Sequence, residues 1–220
     1  MTLKPLNLLP ARERVASSLR KAIISRDFVE GEQITLDAIA SILGVSKTPV
    51  REAFLMLENE GLIKIMPNKR VTVLGMTEKN VREHFHIRAA LESEAAVCCC
   101  AEHVDLSAIR EVIEDSRCVI ASERFEDYSN LNQAFHVAIW TACGNERLKN
   151  MLSVMWNGLS IRYMESLEDY AVKSFREHEK IFAALEARDA NLTRQLMHDH
   201  IGRSMMDMLT NLHEEKAHGD

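Results

Sequence analysis

Ile39-Ala40-Ser41-Ile42-Leu43-Gly44-Val45-Ser46-Lys47-Thr48-Pro49-Val50-Arg51-Glu52-Ala53 is the stretch that decides the fold. Just ahead of it, Thr35 can cap a helix whose apolar positions Leu36, Ile39, Ala40 and Leu43 recur at helical spacing. Gly44 suits the left-handed residue that closes such a helix, and Ser46 can cap the next one. Pro49 falls in a first turn, where no intrahelical N–H is lost. Val50, Ala53, Phe54 and Leu57 then form the inner stripe of a helix over 47–59. Two short helices joined by a tight glycine-containing turn make a helix-turn-helix.

The flanks extend the pattern. Upstream, Val15, Leu19, Ala22 and Ile23 predict an amphipathic helix over 11–25. Downstream, Ile63-Lys64-Ile65 and Val71-Thr72-Val73 alternate apolar and polar residues around a basic tip, which predicts a small β-hairpin. Helix, helix-turn-helix and hairpin together make a winged helix. A recognition helix meets base edges through its N-terminal residues, here Lys47, Thr48 and Arg51. Lys47 and Arg51 are four apart and so share a face away from the apolar stripe. Lys69 and Arg70 at the hairpin tip are placed to meet a minor groove or phosphates of double-stranded DNA.

Charge and punctuation divide the chain near residue 76. Residues 1–76 carry 11 Lys and Arg against 8 Asp and Glu, and residues 77–220 carry 16 against 25. An anionic partner is therefore expected for the first part only. All four prolines lie at or before position 67, and no glycine stands between Gly75 and Gly144. A long segment without either, rich in Ala, Leu, Glu, Met and Arg, reads as helices. Thr77, Asp105, Asn145 and Asp189 are cap candidates and Gly144 a helix terminator. They predict six helices, over about 78–102, 105–122, 125–143, 145–167, 173–187 and 189–214. The expected fold is mainly α: a winged helix-turn-helix over 1–76 and an antiparallel six-helix bundle over 77–220. No uncharged apolar stretch approaches the roughly 18 residues needed to span a bilayer. The five cysteines are odd in number and three are adjacent, which suits reduced thiols in a cytoplasmic protein. Cys98, Cys99 and Cys100 spread over about 200° of a helix, so they read as small apolar filler.

All nine histidines follow residue 83. His178 and His200 are equidistant from position 189, where the last two helices turn. In a helical hairpin they sit level, about 15 Å down each arm. Asn132 and His136 share one face of another helix. Three imidazoles and an amide oxygen can therefore converge, a donor set suited to Zn, Ni or Mn. The alternative for each histidine is an ordinary surface or core residue, and the other six are read that way. His198 points away from His200.

Residues 39–53, with Leu57-Glu58-Asn59-Glu60-Gly61-Leu62, resemble the winged-helix domain of GntR-family transcriptional regulators. The resemblance implies that Arg51, and Lys47 in place of an arginine, contact an operator. Leu131-Asn132-Gln133-Ala134-Phe135-His136, Cys143-Gly144-Asn145, Glu177-His178 and His200-Ile201 resemble the FCD ligand-binding domain of the FadR subfamily. That resemblance implies a divalent metal held by Asn132, His136, His178 and His200, where many relatives have Asp at the first position. Arg88-Ala89-Ala90-Leu91-Glu92 matches the opening of the same domain, and the resemblance implies that Arg88 meets the carboxylate of a small effector; Arg162 is a weaker candidate. The other reading of Arg88 is an i,i+4 pair with Glu92. A homodimer on a pseudo-palindromic operator is expected, because one short helix reads too few bases. Two rivals stand beside the ligand-responsive regulator. One is a sensor whose effector is the metal itself. The other is a metal-dependent hydrolase, for which no general base stands beside the histidines.

Overall fold

The computed structural model describes residues 10–25, 27–67, 70–156 and 167–218. The chain divides into two compact units, Met1–Asn80 and Val81–Asp220.

The first unit contains α1 (Ala11–Ile24), β1 (Gln33–Ile34), α2 (Leu36–Leu43), α3 (Lys47–Asn59), β2 (Ile63–Ile65) and β3 (Val71–Val73). Thr35 Oγ1 accepts the Ala38 N–H at 3.2 Å and opens α2. Gly44 ends it at φ +62°, a conformation that costs glycine nothing. Ser46 is extended but its side chain makes no capping bond, unlike the sequence expectation. Val50, Phe54 and Leu57 of α3 are buried against Val15, Leu19 and Ile23 of α1, with Ile63 and Val73 from the sheet. Each such side chain contributes about 1.5–3 kcal/mol of burial free energy. Arg20 of α1 closes the cluster on one side, its Nε donating to Glu60 Oε2 at 2.7 Å.

The sheet order is β1-β3-β2, all antiparallel. Ile63 stands opposite Val73 and Ile65 opposite Val71, so the apolar residues of the hairpin face the helices together. The edge strand β1 was not expected. Two residues are too short to display alternation, and β1 exists because Gln33 and Ile34 pair with Thr72 and Val71.

Among the described residues six helices follow: α4 (Glu78–Cys98), α5 (Ser107–Ala121), α6 (Tyr128–Ala142), α7 (Glu146–Met155), α8 (Leu167–Glu186) and α9 (Ala190–His218). Three of the four expected caps act at the expected places, whereas α5 begins after Leu106 and Asp105 Oδ1 accepts the Ser107 N–H at 2.9 Å from one residue further back. Asn80 N–H binds Thr77 Oγ1 at 3.1 Å, Leu148 N–H binds Asn145 Oδ1 at 3.0 Å and Leu192 N–H binds Asp189 Oδ1 at 2.9 Å. Boundaries differ from the expectation in several places. α4 stops at Cys98, a 3₁₀ turn over Phe125–Asp127 precedes α6, and α8 begins at Leu167. The expected fourth helix ends at Met155, and residues 157–166 lie outside the described part.

α5 packs on α6 and α8, and α8 packs on α9. The α8–α9 turn is fixed by Arg188, which takes φ +56°. Its guanidinium donates to the carbonyls of Cys99 at 2.8 Å, Ala101 at 3.1 Å and Val104 at 3.0 Å. All three carbonyls belong to the segment that follows α4. The register of α8 against α9 follows from this anchored turn.

Candidate metal centre and nucleic-acid face

His136 comes from α6, His178 from α8 and His200 from α9. Their exposures are 1%, 0% and 3%. His200 Nε2 lies 3.3 Å from His178 Nε2 and 3.3 Å from His136 Nε2. One ligand-type atom from each falls within 4.8 Å of the others.

Each ring is held from behind at its other nitrogen. His136 Nδ1 is 3.0 Å from Glu92 Oε2, and His200 Nδ1 is 2.7 Å from Glu177 Oε2. His178 Nδ1 is 3.2 Å from the Tyr128 hydroxyl, and the ring stacks on Phe135 at 3.9 Å. A carboxylate can only accept, so Nδ1 of His136 and of His200 carries the proton. Their Nε2 lone pairs then point into the same small space. Burial pushes the pKa of all three imidazoles down, that of His200 to about 4 despite its bond to Glu177. Neutral imidazoles are the form that binds a metal.

These residues fit a divalent cation. Tetrahedral ligands about 2.0–2.1 Å from zinc are spaced by about 3.3 Å, the separation seen from His200 Nε2 to each of the other two nitrogens. Carboxylate and hydroxyl partners on the far nitrogens are the usual outer support of metal-bound histidines.

Asn132 is half-buried one turn before His136, and its Oδ1 accepts from Ser174 Oγ at 3.2 Å. One oxygen lone pair is thereby occupied and a second remains. Arg88 is buried, and its Nε donates to Glu92 Oε1 at 3.0 Å. The i,i+4 pair therefore exists, though inside the domain rather than on its surface. The guanidinium carbon lies 4.4 Å from the Trp156 ring centre, within cation–π range. Arg162 lies outside the described residues.

Sequence reasoning missed the residue that joins these groups. Glu92 is fully buried and accepts from Arg88, from His136 and from the Trp140 indole N–H at 2.7 Å. Burial alone would raise its pKa, but the neighbouring His136 and Arg88 and the hydrogen bonds outweigh it and hold the carboxyl at about 2. Its spacing from Arg88 suggested only a local pair, since a cross-helix bond leaves no mark in the periodicity. Glu177 had no signal beyond adjacency to His178. It also takes Arg203 Nε, at 2.8 Å and 2.9 Å. Burial opposes its ionisation as well, and the bonds to His200 and Arg203 bring its pKa down.

The cysteines are all free thiols. Cys99 Sγ approaches the Ile139 carbonyl at 3.4 Å and Cys100 Sγ the Thr193 hydroxyl at 3.4 Å. Both are buried packing groups.

In the first unit, Lys47, Thr48 and Arg51 are exposed on the opening turns of α3, opposite the buried Val50, Phe54 and Leu57. Lys47 Nζ pairs with Asp37 Oδ1 at 2.9 Å, with both side chains more than 60% exposed. Arg70 is exposed beside β3 and donates to Gln33 Oε1 at 3.3 Å. Lys69 lies outside the described residues.

Comparison with known proteins agrees with both halves of this description. The FCD domain model matches residues 83–203, more than half of the chain. A model described as bacterial regulatory proteins, gntR family, matches residues 11–73. The gluconate operon transcriptional repressor of Bacillus subtilis is 29% identical over 202 residues, covering 84% of this chain and 79% of that one. The HTH-type transcriptional repressor GlaR of Escherichia coli is 28% identical over 200 residues, covering 83% and 89%. Among solved structures, E. coli McbR/YncC superposes with a TM-score of 0.70 at 21% identity, covering 93% of this chain and 100% of that one. At that identity the likeness speaks for the fold alone. No described helix is long and apolar enough to cross a membrane. The chain therefore belongs to the GntR family of bacterial transcriptional regulators, with an FCD domain in its C-terminal part, and stands with regulators rather than enzymes.

Proposed function

We propose that this regulator changes its affinity for DNA when a small carboxylate binds beside a divalent metal in the FCD domain. Residues 1–76 form the operator-binding part, and residues 77–220 form the effector, metal and dimerisation part. Lys47, Thr48 and Arg51 meet base edges, and Lys69 and Arg70 of the wing meet the backbone or minor groove. Two copies of the chain read a pseudo-palindromic operator, in the cytoplasm where that DNA lies.

His136, His178 and His200 hold the metal, with Asn132 as an oxygen donor. Zn, Ni and Mn all suit three imidazoles and one oxygen. A bound cation supplies a Lewis-acidic docking point for a carboxylate. Arg88 supplies a second one, its guanidinium steadied by Glu92 and Trp156; Arg162 is a further contact. The name of one relative associates that protein with a gluconate operon, and gluconate is a small carboxylate, which favours this effector class. Glu92 and Glu177 orient the ligating rings, and the two indoles exclude water from one side.

The mechanism is a population shift: the effector binds one arrangement of the protein better than the other and draws the equilibrium toward it. The observation that carries this reading is the meeting of three Nε2 atoms whose Nδ1 atoms are all held. The test is operator affinity by gel shift for metal-loaded and chelator-treated protein, each with and without a carboxylate panel. The expected result is a shift in affinity that needs both metal and carboxylate. A carboxylate response of equal size in chelated protein would overturn the reading, and a response to metal alone would favour the metal sensor.

A further inference from the structure

We propose that Asp37 is a specificity-determining residue of the DNA face, which keeps Lys47 from serving as a sequence-independent phosphate contact and reserves it for base edges. The inference rests on the reading of Lys47 as a DNA contact.

Lys47 is the first residue of α3. A cation there meets the positive end of the helix dipole. The first turn of α3 contains no acid, and Ser46 ahead of it makes no capping bond. The opening of α3 therefore has no counter-charge from its own helix. It takes one from α2, whose first turn carries Asp37. Asp37 Oδ1 lies 2.9 Å from Lys47 Nζ, across the helix-turn-helix. An acid in a first turn also suits the dipole of its own helix. Both side chains are exposed, so the pair contributes little to stability. Its effect is on what approaches Lys47.

Arg51 stands one turn further along the same face and differs in this respect. Among the described residues it takes no ion pair and no hydrogen bond. DNA thus meets two cations four residues apart, one with its charge unmatched and one with its charge already matched. A phosphate that approaches Lys47 must displace Asp37 and come to rest beside a like charge. A base edge carries no net charge and is not repelled in this way. The O6 and N7 atoms of guanine accept from a lysine in the major groove. Asp37 therefore lowers the part of Lys47 binding that is common to all sequences and spares the part that depends on sequence. Discrimination is a difference of affinities, and a repulsive element aimed at the wrong partner raises it. The wrong partner here is the phosphate-driven binding of any duplex.

The test uses the full chain and two duplexes, one selected by the wild-type protein from a randomised pool and one scrambled from it. Affinity for each is measured across a range of salt concentrations for wild type, Asp37→Asn, Lys47→Ala and the double variant. Asp37→Asn is expected to tighten binding to the scrambled duplex about threefold or more, and to steepen its logarithmic salt slope by about 0.9, the value for one added phosphate contact. The selected duplex is expected to gain less, so the ratio of the two affinities falls. In the Lys47→Ala background the same substitution is expected to change the slope much less, because the cation it releases is gone. An unchanged slope with Lys47 present overturns the proposal, as does an equal gain on both duplexes. A full change of slope in the Lys47→Ala background overturns it as well, since Asp37 then acts as a distant charge. If Lys47→Ala and Arg51→Ala bind both duplexes as wild type does, the reading of the DNA face falls and this inference with it. If they weaken binding while Asp37→Asn changes nothing, only this inference falls.

Discussion

The two units keep their chemically active side chains in opposite places. In the winged helix the cluster around Val50, Phe54 and Leu57 is apolar apart from Arg20 at its edge, and the charged candidates Lys47 and Arg51 stand on the surface. In the helical domain polar groups lie inside an otherwise apolar core: His136, His178 and Glu92 are almost completely buried. The first arrangement separates stability from binding, because an exposed cation can be removed without opening a cavity. The second joins them, since each buried polar group is a partner of another and removing one strands its neighbour.

Mutations can break this contrast. The largest expected effect is His178→Ala with His200→Ala, which should leave the protein without bound metal by elemental analysis. Next is Phe54→Ala, which should cost about 3–5 kcal/mol of stability in chemical denaturation and abolish operator binding through unfolding of the first unit. Glu92→Gln should follow. It leaves the buried Arg88 without its counter-charge, for a loss of about 3 kcal/mol, and lowers metal affinity about 10–100-fold by loosening His136. A Glu92→Gln protein with unchanged stability and metal affinity would remove Glu92 from the network. Arg51→Ala should cost about 1–3 kcal/mol of operator affinity in a binding titration while leaving the melting curve in place. The smallest effect sharpens the contrast: Asp37→Ala breaks an exposed pair with Lys47 and should change stability by about 0.5 kcal/mol or less.

Legibility in the sequence also differed between the units. The helix-turn-helix follows local rules, a cap at Thr35 and a left-handed glycine at 44, and these act on neighbouring residues that spacing displays. The pairing of His178 with His200 was legible for a related reason, since a hairpin of helices places residues equidistant from its turn at one level. Cross-helix hydrogen bonds have no such signature. Glu92 reaches His136 across 44 positions and Glu177 reaches His200 across 23, so their roles emerge only with the packing. Trp156 escaped notice because the helix expected to continue through it stops at Met155. The edge strand β1 was hidden for the opposite reason, being too brief to carry a pattern.

Both tryptophans of the chain stand at the same histidine. Trp140 donates to the carboxylate that holds His136, and the Trp156 ring centre lies 5.0 Å from that imidazole. The winged helix contains no indole at all. Fluorescence excited selectively in the indoles of the unlabelled protein therefore originates entirely beside the histidine cluster. A spectroscopist can follow events there with no dye attached, while the other half of the molecule stays dark.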